Sequence, residues 1–168
     1  MEINILPILK NEGEKLSFSF DEAIEKNIIE FCGESVGIKK PVSVSGYAIN
    51  YEGKIHLHMN IKAEIQRACS RCLKLYNENL DINAEYVYSK DIQNTEEDIC
   101  FFSKDSIDIT DIVIAEITAQ MPMKPLCKDD CKGICPICGN NKNFIDCNCV
   151  KKETDPRMQK LSSLLENK

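Results

Sequence analysis

The 168-residue chain has no tryptophan, only two histidines, seven glycines and six prolines, and 7% of its residues are aromatic. Each shortage excludes something. No glycine-rich loop is arranged to cradle a phosphate, and no Ser/His/Asp or Cys/His constellation supplies a nucleophile with its base. Without tryptophan, and with Phe144 as the one aromatic after Met121, no base-stacking signature for RNA is visible. No apolar stretch approaches the roughly 20 residues that span a bilayer. The first ten residues, MEINILPILK, have an acidic residue at position 2, no basic start, and an apolar run interrupted by Asn4 and Pro7. That segment does not read as a signal peptide. A cytoplasmic protein with reduced thiols is the expectation, without membrane or small-molecule substrate.

What the chain has is cysteine. Eight of its ten cysteines fall at ligand spacing: Cys69 and Cys72 as CSRC, then Cys127, Cys131, Cys135, Cys138, Cys147 and Cys149. Two thiolates on one tight turn can both reach a Zn²⁺ at about 2.3 Å on adjacent corners of a tetrahedron. The run CPICG is the usual form of such a knuckle. The competing use of many cysteines, a disulfide framework, belongs to small secreted domains, for which the N-terminus gives no support. The sequence predicts two zinc ions in closed sets of four thiolates. A single-zinc protein with the first CxxC left as a free dithiol is the structural alternative. Cys32 and Cys100 lie in apolar surroundings and read as small buried hydrophobes.

Charge is uneven. The whole chain carries a formal −6, yet from Met121 onward nine Lys/Arg face six Asp/Glu. This points weakly to the tail as a polyanion-facing part. Four thiolates around one Zn²⁺ leave a net −2, however, so two such sites would offset that excess.

The clearest secondary structure is a strand. From Ile55 to Ile65 the odd positions are apolar, while His56, His58, Asn60, Lys62, Glu64 and Gln66 take the even ones. His56 and His58 therefore read as exposed strand residues, not ligands. Val42 to Tyr51 precedes it through Glu52-Gly53, a hairpin signal, and a further strand resumes through Leu80, Ile82, Ala84, Tyr86 and Tyr88. The CSRC turn should sit at the tip joining two long antiparallel strands. Short strands are predicted over 3–9 and 15–20, with a turn at 11–13. A helix is predicted from Asp21 to Phe31, ended by Gly33, and another from Asp108 or Thr110 up to Pro122, with Ile109, Ile112, Val113 and Ile117 as its buried stripe. Pro122 and Pro125 should force an extended passage to Cys127. Residues 91–98 read as an acidic linker, and 155–166 as a short amphipathic helix. The fold class is α+β: a mainly antiparallel sheet with a docked helix over 1–121, and a cysteine-rich zinc-binding tail over 122–168.

The CSRC tip, then IDITDIVIAEITAQMPMKPLC, DCKGICPICGNNKN, CNC and DPRMQKL in that order, resemble the YceD family. These bacterial proteins are named for large-subunit ribosomal RNA accumulation and are often encoded beside a small ribosomal protein. The resemblance covers about residues 3–166, with its specificity in 66–73 and 107–165. It implies a cytosolic, non-enzymatic factor connected with ribosome biogenesis, acting on ribosomal RNA, a large-subunit ribosomal protein or an assembly factor. One departure is NNKN, where the family has an apolar residue at the position of Lys142. Family members that lack the CPxCG portion keep the CxRC pair and a later polar pair. This implies one site from Cys69, Cys72, Cys127 and Cys131, and another from Cys135, Cys138, Cys147 and Cys149, with an exchange of pairs still open.

Lys124, Lys128, Lys132, Lys142, Lys151, Lys152 and Arg157 are the candidate phosphate contacts, interleaved with the cysteines. Their plainer reading is that they solvate the tail and balance thiolate charge. A redox-responsive zinc protein or chaperone, releasing metal on oxidation, is the alternative function, with thiolates near Arg67, Arg71 and Lys74 electrostatically favoured. An enzyme is not expected, because catalytic zinc keeps an open position with three protein ligands.

Overall fold

The computed structural model describes residues 1–24, 28–31, 33–39, 41–90, 99–102 and 105–149. Its strands are β1 (Glu2–Asn4), β2 (Lys15–Glu22), β3 (Ile28–Phe31), β4 (Glu34–Ile38), β5 (Val42–Tyr51), β6 (Lys54–Ala68), β7 (Leu75–Ser89), β8 (Ile99–Phe101) and β9 (Ser106–Asp108). Two short helices join them, α1 (Leu6–Leu9) and α2 (Thr110–Gln120). The architecture is a mostly antiparallel sheet with helices packed against it.

The 15-residue strands β6 and β7 pair along nearly their whole length, Ile55 opposite Tyr88 and Ala68 opposite Leu75. At about 3.3 Å per residue this ribbon is about 50 Å long. The predicted alternation holds along it: Ile55, Leu57, Met59, Ile61, Ala63 and Ile65 are buried, and the intervening side chains are half-buried or exposed. On the wet face His58 stacks on Tyr47 at 4.8 Å and pairs with Glu85 at 3.1 Å. Glu52 and Gly53, both at positive φ, make the β5–β6 turn.

On its other edge β6 is covered first by β5 and then by β4. The register changes between them around Pro41, whose missing N–H cannot continue a ladder. β2 pairs with β5, β3 pairs with β4, and β8 runs parallel to the end of β7. A separate two-stranded sheet joins β1 to β9. Helix α2 buries Val113 and Ile117, with Ile109 fully buried at its start. The Asp108 carboxylate accepts from the Thr110 N–H at 2.9 Å, and Tyr86 donates to Glu116 at 2.5 Å, pinning α2 to β7. Cys100 is half-buried against the main core, and burial pushes its thiol up.

Two expected elements differ. The segment 3–9 is not one strand: β1 stops at Asn4, whose side chain accepts from the Leu6 N–H, and Pro7 then sits in the first turn of α1. The helix expected from Asp21 to Phe31 is overturned. Asp21 and Glu22 end β2, and Ile28–Phe31 forms an antiparallel hairpin with β4 around Gly33 at φ 80°. Gly33 serves a strand turn where a helix stop was read, and Asp21 accepts from the Ser43 hydroxyl of β5 instead of capping a helix. The acidic stretch 91–98, Cys32 and the amphipathic segment 155–166 lie outside the described residues.

Candidate metal centres

The free end of the β6–β7 ribbon carries the first cysteine pair. In the turn Cys69-Ser70-Arg71-Cys72-Leu73, the Leu73 N–H donates to the Cys69 carbonyl at 2.9 Å and Leu73 takes φ 58°. The knuckle Cys135-Pro136-Ile137-Cys138-Gly139 repeats the arrangement, with Gly139 N–H on the Cys135 carbonyl at 2.9 Å and φ 73°. Two turns of unlike sequence thus close in the same way. Both present a pair of thiols.

Past Met121 the chain returns to the ribbon tip. The Ser70 N–H donates to the Pro125 carbonyl at 2.9 Å, which sets Cys127 beside Cys72. The Arg71 side chain donates to the Cys131 carbonyl at 2.9 Å, and the Arg71 carbonyl accepts from Ile134 N–H at 3.2 Å. Gly133, at φ 72°, passes so close that a Cβ there would stand 3.0 Å from the Arg71 carbonyl oxygen. A side chain at that position would meet strained backbone and a neighbouring main chain at once.

The result is two compact sets. Cys69, Cys72, Cys127 and Cys131 have all their sulfurs within 4.8 Å of one another, and so do Cys135, Cys138, Cys147 and Cys149. In the first set Cys69 and Cys131 are 3.8 Å apart and Cys72 and Cys127 3.6 Å apart. A disulfide needs about 2.05 Å. The edge of a tetrahedron with Zn–S bonds of 2.3 Å is about 3.8 Å. The donor set therefore fits a closed tetrathiolate zinc site. The pairing that the family resemblance implied is the grouping the geometry brings together.

Proton sharing within the sets points the same way. Burial pushes Cys69 up, but hydrogen bonds from backbone groups of Cys127, Cys72 and Arg71, and from the Cys72 thiol, outweigh it and bring Cys69 down to about 6. Backbone groups of Cys138 and Ile137 outweigh burial to hold Cys135 at about 6. Cys127 is pushed up to about 12 by burial and then by the thiols around it, and Cys149 to about 12, first by Cys138 and then by burial. Four sulfurs this close cannot all ionise unless a cation sits among them.

The sets differ in exposure. Cys69, Cys72 and Cys131 are buried, with Cys127 half-buried, and Tyr76 and Leu126 pack against them. In the second set only Cys135 is buried; Cys138 is exposed, and Cys147 and Cys149 are half-buried. Asn143 supports the first set from outside: its amide donates to Cys131 Sγ at 3.3 Å, while its carbonyl oxygen accepts from Lys132 N–H at 2.9 Å. Such hydrogen bonds to a ligating sulfur orient it. Lys142 of the NNKN departure has its N–H donating to the Gly133 carbonyl at 2.9 Å.

Of the candidate phosphate contacts, Lys124, Lys128 and Lys132 are exposed and Lys142 is half-buried. Lys128 lies 3.5 Å from Asp130. Lys151, Lys152 and Arg157 lie outside the described residues. Sequence reading left Lys74 out of the phosphate contacts; its ammonium sits 5.2 Å from the centre of the Phe144 ring, itself 71% exposed. The fold brings that pair together from 70 residues apart, so no local spacing could announce it. Neither His56 nor His58 joins a cluster of metal-binding groups among the described residues.

Comparison with known proteins identifies the family. The family described as "Large ribosomal RNA subunit accumulation protein YceD" matches residues 57–165, which include both cysteine sets. The chain belongs to the YceD family. Among its relatives, "Uncharacterized protein YlbN" of Bacillus subtilis is 30% identical over 157 residues, covering 90% of each chain. "Uncharacterized protein ML1660" of Mycobacterium leprae is 28% identical over 102 residues, covering 58% of this chain and 46% of its own length. No solved structure matches. No helix among the described residues is long and apolar enough to cross a membrane.

Proposed function

We propose that this YceD protein is a zinc-stapled, non-enzymatic factor in large-subunit ribosomal RNA accumulation, and that its metal-held end contacts ribosomal RNA directly. The family match carries the ribosomal half of the reading. Zinc is supported by two sets of four thiols, one with sulfur spacings close to a tetrahedral edge. Four ligands fill the coordination sphere and leave no position for substrate or water, which favours a structural role for the metal.

RNA contact is supported by the surface beside the first set. A hollow of about 290 Å³ there is bordered by Lys74, Lys128, Asn141 and Phe144. An exposed aromatic ring flanked by ammonium groups suits a splayed nucleobase stacked on carbon with its phosphates on lysine. The charge balance makes this a local matter. Two metal tetrathiolates would take the formal charge below −6 by a further four, so no general attraction to polyanions is available.

In cells lacking the protein, large-subunit ribosomal RNA should fall relative to small-subunit RNA. Crosslinking of the full-length protein to RNA in cells should recover large-subunit fragments. Phe144→Ala with Lys74→Glu should cut that recovery about tenfold or more while zinc content stays the same, the loss of one stacked base being about 1–3 kcal/mol. Unchanged crosslinking in the double variant would remove this surface from the reading, and unchanged ribosomal RNA in the deletion strain would remove the role itself.

A further inference from the structure

Among the described residues Arg67 is the one arginine buried in the sheet. It lies on the inner face of β6, is 2% exposed, and its Nε and Nη1 atoms have no hydrogen-bond partner. Among the described residues no carboxylate forms an ion pair with it. Its guanidinium carbon is 5.8 Å from the centre of the Phe31 ring, a contact that offsets little of the cost of burying a full charge. A buried cation without a counter-charge is costly unless something supplies one.

The strand shows where the counter-charge lies. Cys69 is the first residue past the end of β6, two beyond Arg67, and both side chains are buried. Directly opposite Arg67 on β7 is Tyr76, which packs against Cys69, Cys72 and Cys131. Arg67 therefore stands at the boundary between the sheet core and the first thiol set, on the side away from solvent. A divalent metal held by four thiolates is a dianion, and its field in a buried site is poorly screened by salt.

We propose that Arg67 is the built-in counter-cation of the first cysteine set, fixing that site for a divalent metal tetrathiolate and lowering the cost of its −2 charge inside the protein. The inference rests on that set holding a divalent metal. Arg67 is a positioning residue here: it touches no metal and acts through charge. The second set has no such buried arginine among the described residues and is more open to water, which screens its charge instead.

The test uses full-length zinc-loaded protein with Arg67→Met, similar in length but uncharged, and Arg67→Lys. Chelator-driven zinc loss is followed by alkylating freed thiols and mapping them by mass, so that Cys135, Cys138, Cys147 and Cys149 serve as an internal control. Arg67→Met should release metal from Cys69, Cys72, Cys127 and Cys131 at least about tenfold more readily, with the second set unchanged. Arg67→Lys should recover most of the loss. An arginine that served packing alone would lose no more metal as methionine than as lysine. Equal weakening of both sets, or unchanged zinc retention at the first, would overturn the proposal. If wild-type protein purified without chelator holds no metal on the first set, the metal reading itself fails, and that result is visible before any variant is made.

Discussion

Leu73 and Gly139 occupy equivalent positions after the two CxxC turns, both at positive φ, yet only one of them is glycine. A Cβ in the left-handed region costs roughly 1–2 kcal/mol. Leu73 is 66% exposed, so its side chain gains little packing in return. Leu73→Gly should therefore raise the stability of the zinc-loaded protein by roughly 0.5–1 kcal/mol, once the greater freedom of glycine in the unfolded chain is subtracted. Gly139→Leu should lower it by about 1 kcal/mol. Thermal melts of the two variants beside wild type read both signs, and a destabilised Leu73→Gly would mean that the leucine makes contacts worth more than its strain. The cysteines themselves were legible because each is chemically distinctive and spaced for one turn. Arg67 and Lys74 were legible as cations near the CSRC thiolates, but the burial of Arg67, the contact of Lys74 with Phe144 and the support from Asn143 were not, because they depend on neighbours that only the fold supplies.

The β6–β7 ribbon was legible as an element because one face is dry along its whole length and the other wet, which fixes a period of two. Helix α2 was equally readable from its stripe and from Pro122. The region 21–31 failed for the reason that short apolar runs often do: Ile28, Ile29 and Phe31 fit either period, and Gly33 can end a helix or turn a hairpin. Pairing with β4 decided it. At this scale the tail is held to the ribbon tip by few main-chain links, among them Ser70 to Pro125 and Ile134 to Arg71. Its large apolar side chains Met123, Ile137, Phe144 and Ile145 are exposed, so it has little core of its own, and on the zinc reading it would depend on the metal for order. Replacing Cys69 and Cys72 together by serine should release the segment after Pro122. Limited trypsin digestion should then cut after Lys128 and Lys132 faster than in the wild type, while the sheet survives. Continued protection would show that the tail folds on the second set alone.

For the molecule as a whole, the sheet core and the metal-held end should respond to acid separately. The core cluster, centred on Ile55, Leu57, Ile61 and Ile65, contains no ligand, whereas every ligand thiolate competes with a proton. The sign follows from Cys69 and Cys135. In the metal-free protein both are held near 6, so above that pH one thiolate per set is already ionised, and loading zinc at pH 7 releases at most about six protons from the eight thiols. As pH falls below about 6 those two also take up protons, the work of emptying each site of protons grows, and zinc retention is lost. The second set should empty first, because Cys138 is exposed and water reaches its sulfurs. Zinc release measured with a colorimetric chelator during an acid titration should show two steps, while far-UV circular dichroism of the sheet stays nearly constant through both. Loss of the β signal together with the first zinc would show that the metal-held end and the sheet are one cooperative unit, and that the ribbon tip carries more of the stability of the fold than its buried area suggests.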